Sequence, residues 1–74
     1  MKIAVCDKEA VKWFRKAAEQ GDAIAQFALG FMYYKGKGVE PDNGKAYRWF
    51  LLAANNGDKM AEEYKNRIFS EMTK

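Results

Sequence analysis

The residue types that most often carry out catalysis are scarce in this sequence. Its 74 residues contain no histidine and one cysteine, Cys6. Cys6 and Ser70 therefore have no imidazole nearby to remove a proton from the thiol or the hydroxyl. The Asp and Glu residues stand mostly at helix-capping or surface positions, and no pair is spaced for general acid–base catalysis. We therefore expect that the protein is not an enzyme.

Sites for metals and cofactors are also missing from the sequence. Without histidine, and with a single cysteine, the usual zinc ligand sets and an internal disulfide cannot be assembled. The segment Gly36–Gly38 contains a lysine between two glycines, but a phosphate-binding loop is longer and follows a strand. We interpret this segment as a turn and expect no cofactor and no bound metal.

The charge of the chain is mildly basic and evenly distributed. Lys and Arg number 13 and Asp and Glu number 10, giving a net charge of +3. The basic residues run from Lys2 to Lys74 and alternate with acidic ones, whereas nucleic-acid-binding domains usually gather them on one face. We interpret the charges as a solvated surface and keep a basic nucleic-acid-binding module as an alternative.

No segment of the sequence is typical of a membrane protein. The longest apolar stretch lies within Ala23–Tyr34, which is shorter than the roughly 20 residues that span a bilayer. The first residues lack the apolar run of about 7–15 residues found in secretory signals. We therefore expect no membrane partner and a cytoplasmic location. The alternative is a longer secreted parent from which a leader was removed.

An internal repeat organises the chain, with a period of 36 residues. Eight residues between Ala10 and Gln26 recur 36 positions later, where chance supplies about one. The recurring residues are alanines, an aromatic pair and a Gly-Asp pair: Ala10, Trp13, Phe14, Ala17, Ala18, Gly21, Asp22 and Ala25. The similarity fades beyond Phe27, so the last unit has diverged.

The spacing within the repeat predicts helices, because apolar residues recur three and four positions apart. Helices are expected at residues 8–20, 23–35, 43–56 and 59–73. An aspartate suited to helix capping stands before each of them: Asp7, Asp22, Asp42 and Asp58. The two Gly-Asp pairs then join consecutive helices with almost no loop, which makes the neighbouring helices antiparallel.

One apolar face of each helix is expected to be buried. Trp13 and Trp49 should fill the space between helices that approach closely at alanines. The predicted buried positions are Ala10, Trp13, Phe14, Ala17 and Ala18; Ala25, Ala28, Leu29, Met32 and Tyr33; Ala46, Trp49, Phe50, Ala53 and Ala54; and Ala61, Tyr64, Ile68, Phe69 and Met72. The predicted fold is all-α: one domain over residues 1–74, a short right-handed α-solenoid of four antiparallel helices.

The middle of the chain carries a longer ordered pattern of small, aromatic and glycine residues. Its members are Ala25, Leu29, Gly30, Tyr33, Gly36, Gly38, Val39, Asp42, Lys45, Ala46, Trp49, Phe50, Ala53, Ala54 and Gly57. This pattern resembles the signature of the Sel1-like repeat family, relatives of the tetratricopeptide repeats. About two such repeats cover nearly the whole chain, with Ile3 standing where the later copy has Val39. The final unit departs from the signature at Lys65 and Asn66, and its polar outer face is what a capping helix needs.

A second apolar stripe on the second predicted helix is the main candidate for function. Ile24, Phe27, Phe31 and Tyr34 remain after the buried face is removed, and the matching offsets on the fourth helix give Met60, Glu63 and Arg67. The resemblance implies that these helices line a concave groove. Aromatic residues and arginine are enriched at the cores of protein interfaces. The stripe therefore predicts a site for a protein or peptide segment, with Arg67, Lys35 and Arg48 at its rim. Simple packing between helices is the alternative.

The third predicted helix carries extra apolar residues outside its buried face. Tyr47, Leu51 and Leu52 stand where the first copy has a valine, an arginine and a lysine. Contacts of a central helix with several neighbours would account for them, and so would a subunit interface. Two repeats bury a marginal core, so we expect self-association as a homodimer or a helix-swapped dimer. The predicted function is a non-catalytic protein-interaction scaffold, with a self-associating assembly module as the alternative.

Overall fold

The computed structural model describes residues 7–73, and the side chain of Asp7 is outside this description. Four α-helices fill the described part, in the order α1 (Asp7–Glu19), α2 (Ala23–Lys35), α3 (Asn43–Asn55) and α4 (Lys59–Met72). The four predicted helices are thus confirmed, with ends that differ by one residue at most. The sequence positions Ile3 and Cys6 lie outside the described residues.

Tight turns join α1 to α2 and α3 to α4, as the two Gly-Asp pairs predict. Gly21 and Gly57 have φ angles of 97° and 99°, in the left-handed region that favours glycine. The carboxylate of Asp22 then accepts hydrogen bonds from the backbone N–H groups of Ile24 and Ala25, at 2.9 and 3.3 Å. Asp58 caps α4 in the same way through the N–H of Ala61. These bonds satisfy amide groups that have no partner inside the helix.

The longer connection between α2 and α3 is fastened to the end of α2. The backbone N–H groups of Gly36 and Lys37 both donate to the carbonyl of Met32, at 2.7 and 2.9 Å. Further along, the N–H of Asp42 donates to the carbonyl of Tyr33, and the Asp42 side chain caps α3. The connection therefore returns the chain to α2 before α3 begins.

Consecutive helices pack against each other in chain order, α1 on α2, α2 on α3 and α3 on α4. Their contacts bury one apolar core, which contains Val11, Ala18, Ala25, Leu29, Met32, Tyr33, Ala46, Phe50, Ala53, Ala61 and Ile68. Serial packing of helix pairs is the arrangement of an α-solenoid, which confirms the predicted all-α class. None of the helices between residues 7 and 73 is both long enough and apolar enough to cross a membrane.

The predicted buried faces are wrong at the two outer helices. Trp13 is 72% exposed, and Phe69 and Met72 are exposed as well. Among the described residues, α1 packs mainly on α2 and α4 mainly on α3, so these side chains are left partly uncovered. Val11, outside the predicted stripe, is buried instead.

Gly30 of α2 lies directly against the ring of Phe50 of α3. A Cβ atom placed on Gly30 would lie 2.9 Å from two carbons of the Phe50 ring and 3.2 Å from the carbonyl oxygen of Ala46. Phe50 is fully buried, so its ring cannot move aside without disturbing the core. The absence of a side chain at Gly30 therefore sets the α2–α3 distance.

Replacing Gly30 by alanine should lower the free energy of unfolding by about 1–2 kcal/mol. The overlap costs about 1–3 kcal/mol, and the higher helix propensity of alanine offsets about 0.5–1 kcal/mol. Urea denaturation followed by circular dichroism measures the change. The matched control is Gly44→Ala in the first turn of α3, where the new Cβ would meet only the capping carboxylate of Asp42, at 3.3 Å. Equal effects of the two substitutions would show that the α2–α3 contact is not limiting.

One polar side chain, Gln26, is buried among the core residues and joins both tight turns. Its amide nitrogen donates to the carbonyl of Ala18 at 3.0 Å, and its amide oxygen accepts from Nδ2 of Asn56 at 2.9 Å. Asn56 also reaches the carbonyl of Gly21, at 3.5 Å. The end of α1, the α1–α2 turn and the α3–α4 turn are thus held together by one amide network.

Substituting Gln26 by methionine should destabilise the fold by about 1–3 kcal/mol, because the buried side chain loses its hydrogen bonds to the Ala18 carbonyl and the Asn56 amide. The exposed Gln20 offers a control: Gln20→Met should change stability by less than about 0.5 kcal/mol. Thermal melts of both variants provide the comparison, since each kcal/mol shifts the melting temperature by about 4–8 °C in a domain of this size. A Gln26→Met protein as stable as the control would rule out a stabilising role for the network.

Candidate protein-binding surface

Three aromatic side chains of α2 lie against one tyrosine of α4. The ring centroids of Phe27, Phe31 and Tyr34 are 5.6, 5.9 and 6.1 Å from that of Tyr64, all three in edge-to-face geometry. Such distances and angles are those of favourable aromatic pairs. All four side chains are half-buried. We call these four residues the aromatic surface.

Phe50 of α3 lies beneath the aromatic surface and supports it. Its ring centroid is 5.5 Å from Phe27, 6.4 Å from Tyr34 and 5.4 Å from Tyr64. Phe50 has no exposed area, whereas the four rings above it keep part of theirs. The inner edges of the rings are therefore fixed by the core, and their outer edges are available for contact. Packing between helices, the alternative interpretation of the stripe, is confirmed for the inner edges.

Two exposed aliphatic residues stand in the first turns of α2 and α4. Ile24 is 75% exposed and Met60 is 51% exposed, and they occupy equivalent positions in the two repeats. Ile24 lies one helical turn before Phe27 on α2, and Met60 lies one turn before Tyr64 on α4. Both therefore extend the apolar character of the aromatic surface toward the start of its helices.

Charged groups flank the aromatic surface. The Nζ atom of Lys35 lies 5.3 Å from the ring centroid of Tyr34 and 5.8 Å from that of Phe31, and the guanidinium carbon of Arg67 lies 5.3 Å from that of Tyr64. These are cation–π distances. The cations consequently stand beside the rings without covering the whole row, in positions suited to orient an incoming segment.

Glu71 anchors the far end of the aromatic surface. The hydroxyl of Tyr34 donates to its carboxylate, at 3.2 Å from Oε2 and 3.5 Å from Oε1. The pKa of Tyr34 is raised, first because its phenol is partly desolvated and then because Glu71 accepts the hydroxyl proton and repels a phenolate. Tyr34 therefore remains a neutral hydrogen-bonding phenol throughout the physiological range.

The structure brings together most of the residues that the sequence predicts for the groove. Phe27, Phe31 and Tyr34 form one row on α2, and Arg67 joins them from α4. Ile24 extends the row from the start of α2. Arg48 is different: it lines a separate concavity with Trp49, so its predicted place at the rim of this surface is wrong.

Sequence reasoning missed Tyr64 and Glu71 as members of the site. Tyr64 was expected in the buried face of α4, yet it is the residue on which the three α2 rings converge. A signal was present, because Tyr64 stands where the preceding repeat has Ala28. A large aromatic replacing a small residue at a repeat position indicates that the space between helices has changed. Glu71 carried no comparable signal.

The residues considered for self-association do not form one patch. Tyr47 is half-buried, and its ring lies 6.2 Å from that of Phe69 on α4. Leu52 is 44% exposed and lines the concavity beside Trp49, and Leu51 is half-buried. Contact of the central helix with its neighbours therefore accounts for Tyr47. An interface at Leu51 and Leu52 stays a prediction.

A sequence model of the Sel1 repeat matches this chain twice, over residues 7–22 and 23–58. The first match corresponds to α1 and its turn, and the second to α2, the connection, α3 and the second turn. The match thus follows the boundaries of the structural repeat. No solved structure gives a significant match.

Several curated proteins resemble the chain over most of its length. "Chitin synthase regulatory factor 3" of Schizosaccharomyces pombe is 43% identical over 56 residues, which are 76% of this chain and 6% of the relative. "DAP3-binding cell death enhancer 1" of Rattus norvegicus is 36% identical over 64 residues, 86% of this chain and 13% of the relative. "Sel1-repeat-containing protein YbeQ" of Escherichia coli is 44% identical over 50 residues, 66% of this chain and 15% of the relative.

The chain thus spans only 6%, 13% and 15% of the lengths of these three relatives. The repeat match nevertheless covers more than half of the 74 residues, and the fold it implies is the one observed. The chain belongs to the Sel1 repeat family.

Proposed function

We propose that this protein is a non-catalytic interaction module that binds a segment of a protein partner along the aromatic surface. The observation that carries the proposal is the row formed by Phe27, Phe31, Tyr34 and Tyr64, three of whose rings pack on the buried Phe50 and all of which stay partly exposed. A rigid aromatic row loses little conformational entropy on binding, so most of its apolar contact contributes to affinity.

The relatives support an interaction role by their names. One is a regulatory factor of chitin synthase, another binds DAP3, and a third is a component of a ubiquitin-protein ligase in Arabidopsis thaliana. Each name describes a protein that acts on or with another protein. We extend that role, without its particular partners, to this chain.

In the proposed complex, the apolar residues of the surface would supply affinity, and the charged residues beside it would set the orientation of the bound segment. The rings and the exposed Ile24 and Met60 would supply apolar area, and burial of such area is the main favourable term in association. Lys35 and Arg67 flank the rings and would select the direction of the bound segment and raise the association rate. Glu71 holds Tyr34 by a hydrogen bond, so the ring is already in place before a partner arrives.

Replacing Phe31 and Tyr34 by alanine should weaken partner binding at least about tenfold. Truncation of an aromatic hot-spot residue costs about 2 kcal/mol or more, and about 1.4 kcal/mol already corresponds to a tenfold loss of affinity. Binders selected from a displayed random-peptide library against the intact chain supply the ligands, and fluorescence anisotropy measures their affinities. Helicity of the variant is checked by circular dichroism.

Two further variants make the experiment decisive. Trp13→Ala removes an exposed aromatic side chain from α1, away from the aromatic surface, and should leave the affinity unchanged. The double variant Ile24→Ala, Met60→Ala alters exposed positions with little cost in stability and should weaken binding several-fold. If both alanine pairs bind the selected peptides as well as the parent chain, the aromatic surface is not the binding site.

Self-association is a second proposal, favoured by an exposed apolar patch at the α3–α4 end. Phe69 and Met72 are both exposed there, and Tyr47 lies against the Phe69 ring. Large apolar side chains that are exposed together often mark an interface. A second copy that packs the same patch across a two-fold axis would cover them.

Light scattering at about 100 μM, well above a micromolar dissociation constant, should then give the mass of two chains. Phe69→Ser should shift the mass to that of one chain, while Trp13→Ser, at an even more exposed aromatic position on α1, should leave the dimer intact. A single-chain mass for the parent protein, together with a high melting temperature, would contradict self-association.

A further inference from the structure

A second concavity lies between α1 and α3, with α2 at its base. Its lining comprises Arg15, Tyr33, Lys45, Arg48, Trp49 and Leu52, with Glu19 at one side. None of these residues belongs to the aromatic surface. The lining combines three cations from two helices with an aromatic and an aliphatic wall.

The buried Tyr33 fixes the positions of two of these cations. Its hydroxyl accepts a hydrogen bond from Nη2 of Arg15 at 2.6 Å, and Nζ of Lys45 lies 5.4 Å from its ring centroid. A short charge-assisted bond leaves the other N–H groups of the guanidinium free to bind a ligand. Among residues 7–73 no acceptor takes the proton of the Tyr33 hydroxyl, so this O–H can also donate.

The charges of the concavity are unbalanced. Three cations face one carboxylate, Glu19, and within the described residues none of the three forms an ion pair. An anionic group placed between them would gain charge-assisted hydrogen bonds from Arg15 and Arg48.

We propose that this concavity binds an acidic peptide segment, with a carboxylate among Arg15, Lys45 and Arg48. The apolar side chain next to that carboxylate would lie on Trp49, which is half-buried, and Leu52. Arginine suits this task because its planar group can hold a carboxylate with two parallel bonds. The proposal goes beyond the function of the aromatic surface and does not depend on it.

A nucleic acid fits the concavity less well than an acidic peptide. Strand binding needs a track of cations that follows successive phosphates, whereas here two of the three cations meet at one tyrosine and a carboxylate lines the same concavity. The apolar wall has one aromatic side chain exposed to a ligand, Trp49, rather than a series of stacking platforms. A single side-chain carboxylate matches this geometry.

Trp49 itself provides the readout. The chain has two tryptophans, and Trp13 is exposed on α1, outside the concavity. In the full-length Trp13→Phe protein, Trp49 is the only tryptophan, so its emission reports on this site alone. The probe is an acetylated, amidated peptide that alternates Glu and Leu, and its partner peptide has every Glu replaced by Gln.

The acidic peptide should change the Trp49 emission saturably, and the Gln peptide should bind at least about tenfold more weakly, because the hydrogen bonds to charge are lost. Arg15→Gln and Lys45→Gln, placed on different helices, should each weaken the acidic peptide about tenfold for the same reason. Lys16→Gln removes the same charge from an exposed position of α1 that lies outside this concavity and should have less than a twofold effect. Phe31→Ala should leave this binding intact, even if it abolishes binding to the aromatic surface.

Three results with the peptides would overturn the proposal, and a fourth with a nucleic acid. One is the absence of a saturable change, and another is equal binding of the Glu and Gln peptides. The third is a loss in Lys16→Gln as large as that in Arg15→Gln, which would reflect net charge alone. A single-stranded oligouridylate that binds the same site more tightly than the acidic peptide would also overturn it, in favour of a nucleic-acid site.

Discussion

The contact between Gly30 and the ring of Phe50 is the constraint on which the rest of the structure depends. It brings α2 and α3 so close that no side chain fits between them at this point. Phe50 then extends from the core toward α4, where it meets Tyr64, Phe27 and Tyr34. The same ring therefore closes the α2–α3 pair and supports the aromatic surface, so the scaffold and the proposed binding site share one anchor.

A second constraint, the hydrogen bonds of Gln26, acts on the register of the helices. Gln26 ties the two tight turns together through Ala18 and Asn56, and it does so in a buried place where a misaligned helix would leave polar groups without partners. Apolar contacts tolerate small shifts of one helix along another, whereas this network does not. The register of α1 and α3 relative to α2 thus follows from hydrogen bonds, and the tightness of packing follows from the glycine.

The sequence was sufficient for the fold because its signals repeat. Period, spacing and caps agree at each helix, so the four helices and their turns could be predicted closely. Trp13 could not be placed correctly, since its burial depends on a neighbour on its outer side and not on its own periodicity. The convergence of three α2 rings on Tyr64, and the separation of Arg48 from them, depend on helix rotations that spacing alone does not determine.

The helices α2 and α4 are equivalent in the repeat but make different contacts, and one position illustrates the difference. Where α2 has Gly30, α4 has Asn66, which is exposed. A Cβ at this position would overlap the Phe50 ring in the docking that α3 makes on α2. Two residues earlier, Tyr64 replaces Ala28 of the preceding repeat and contacts the rings of α2. The divergence of the last repeat therefore adds a polar residue at one position and a member of the aromatic surface at another.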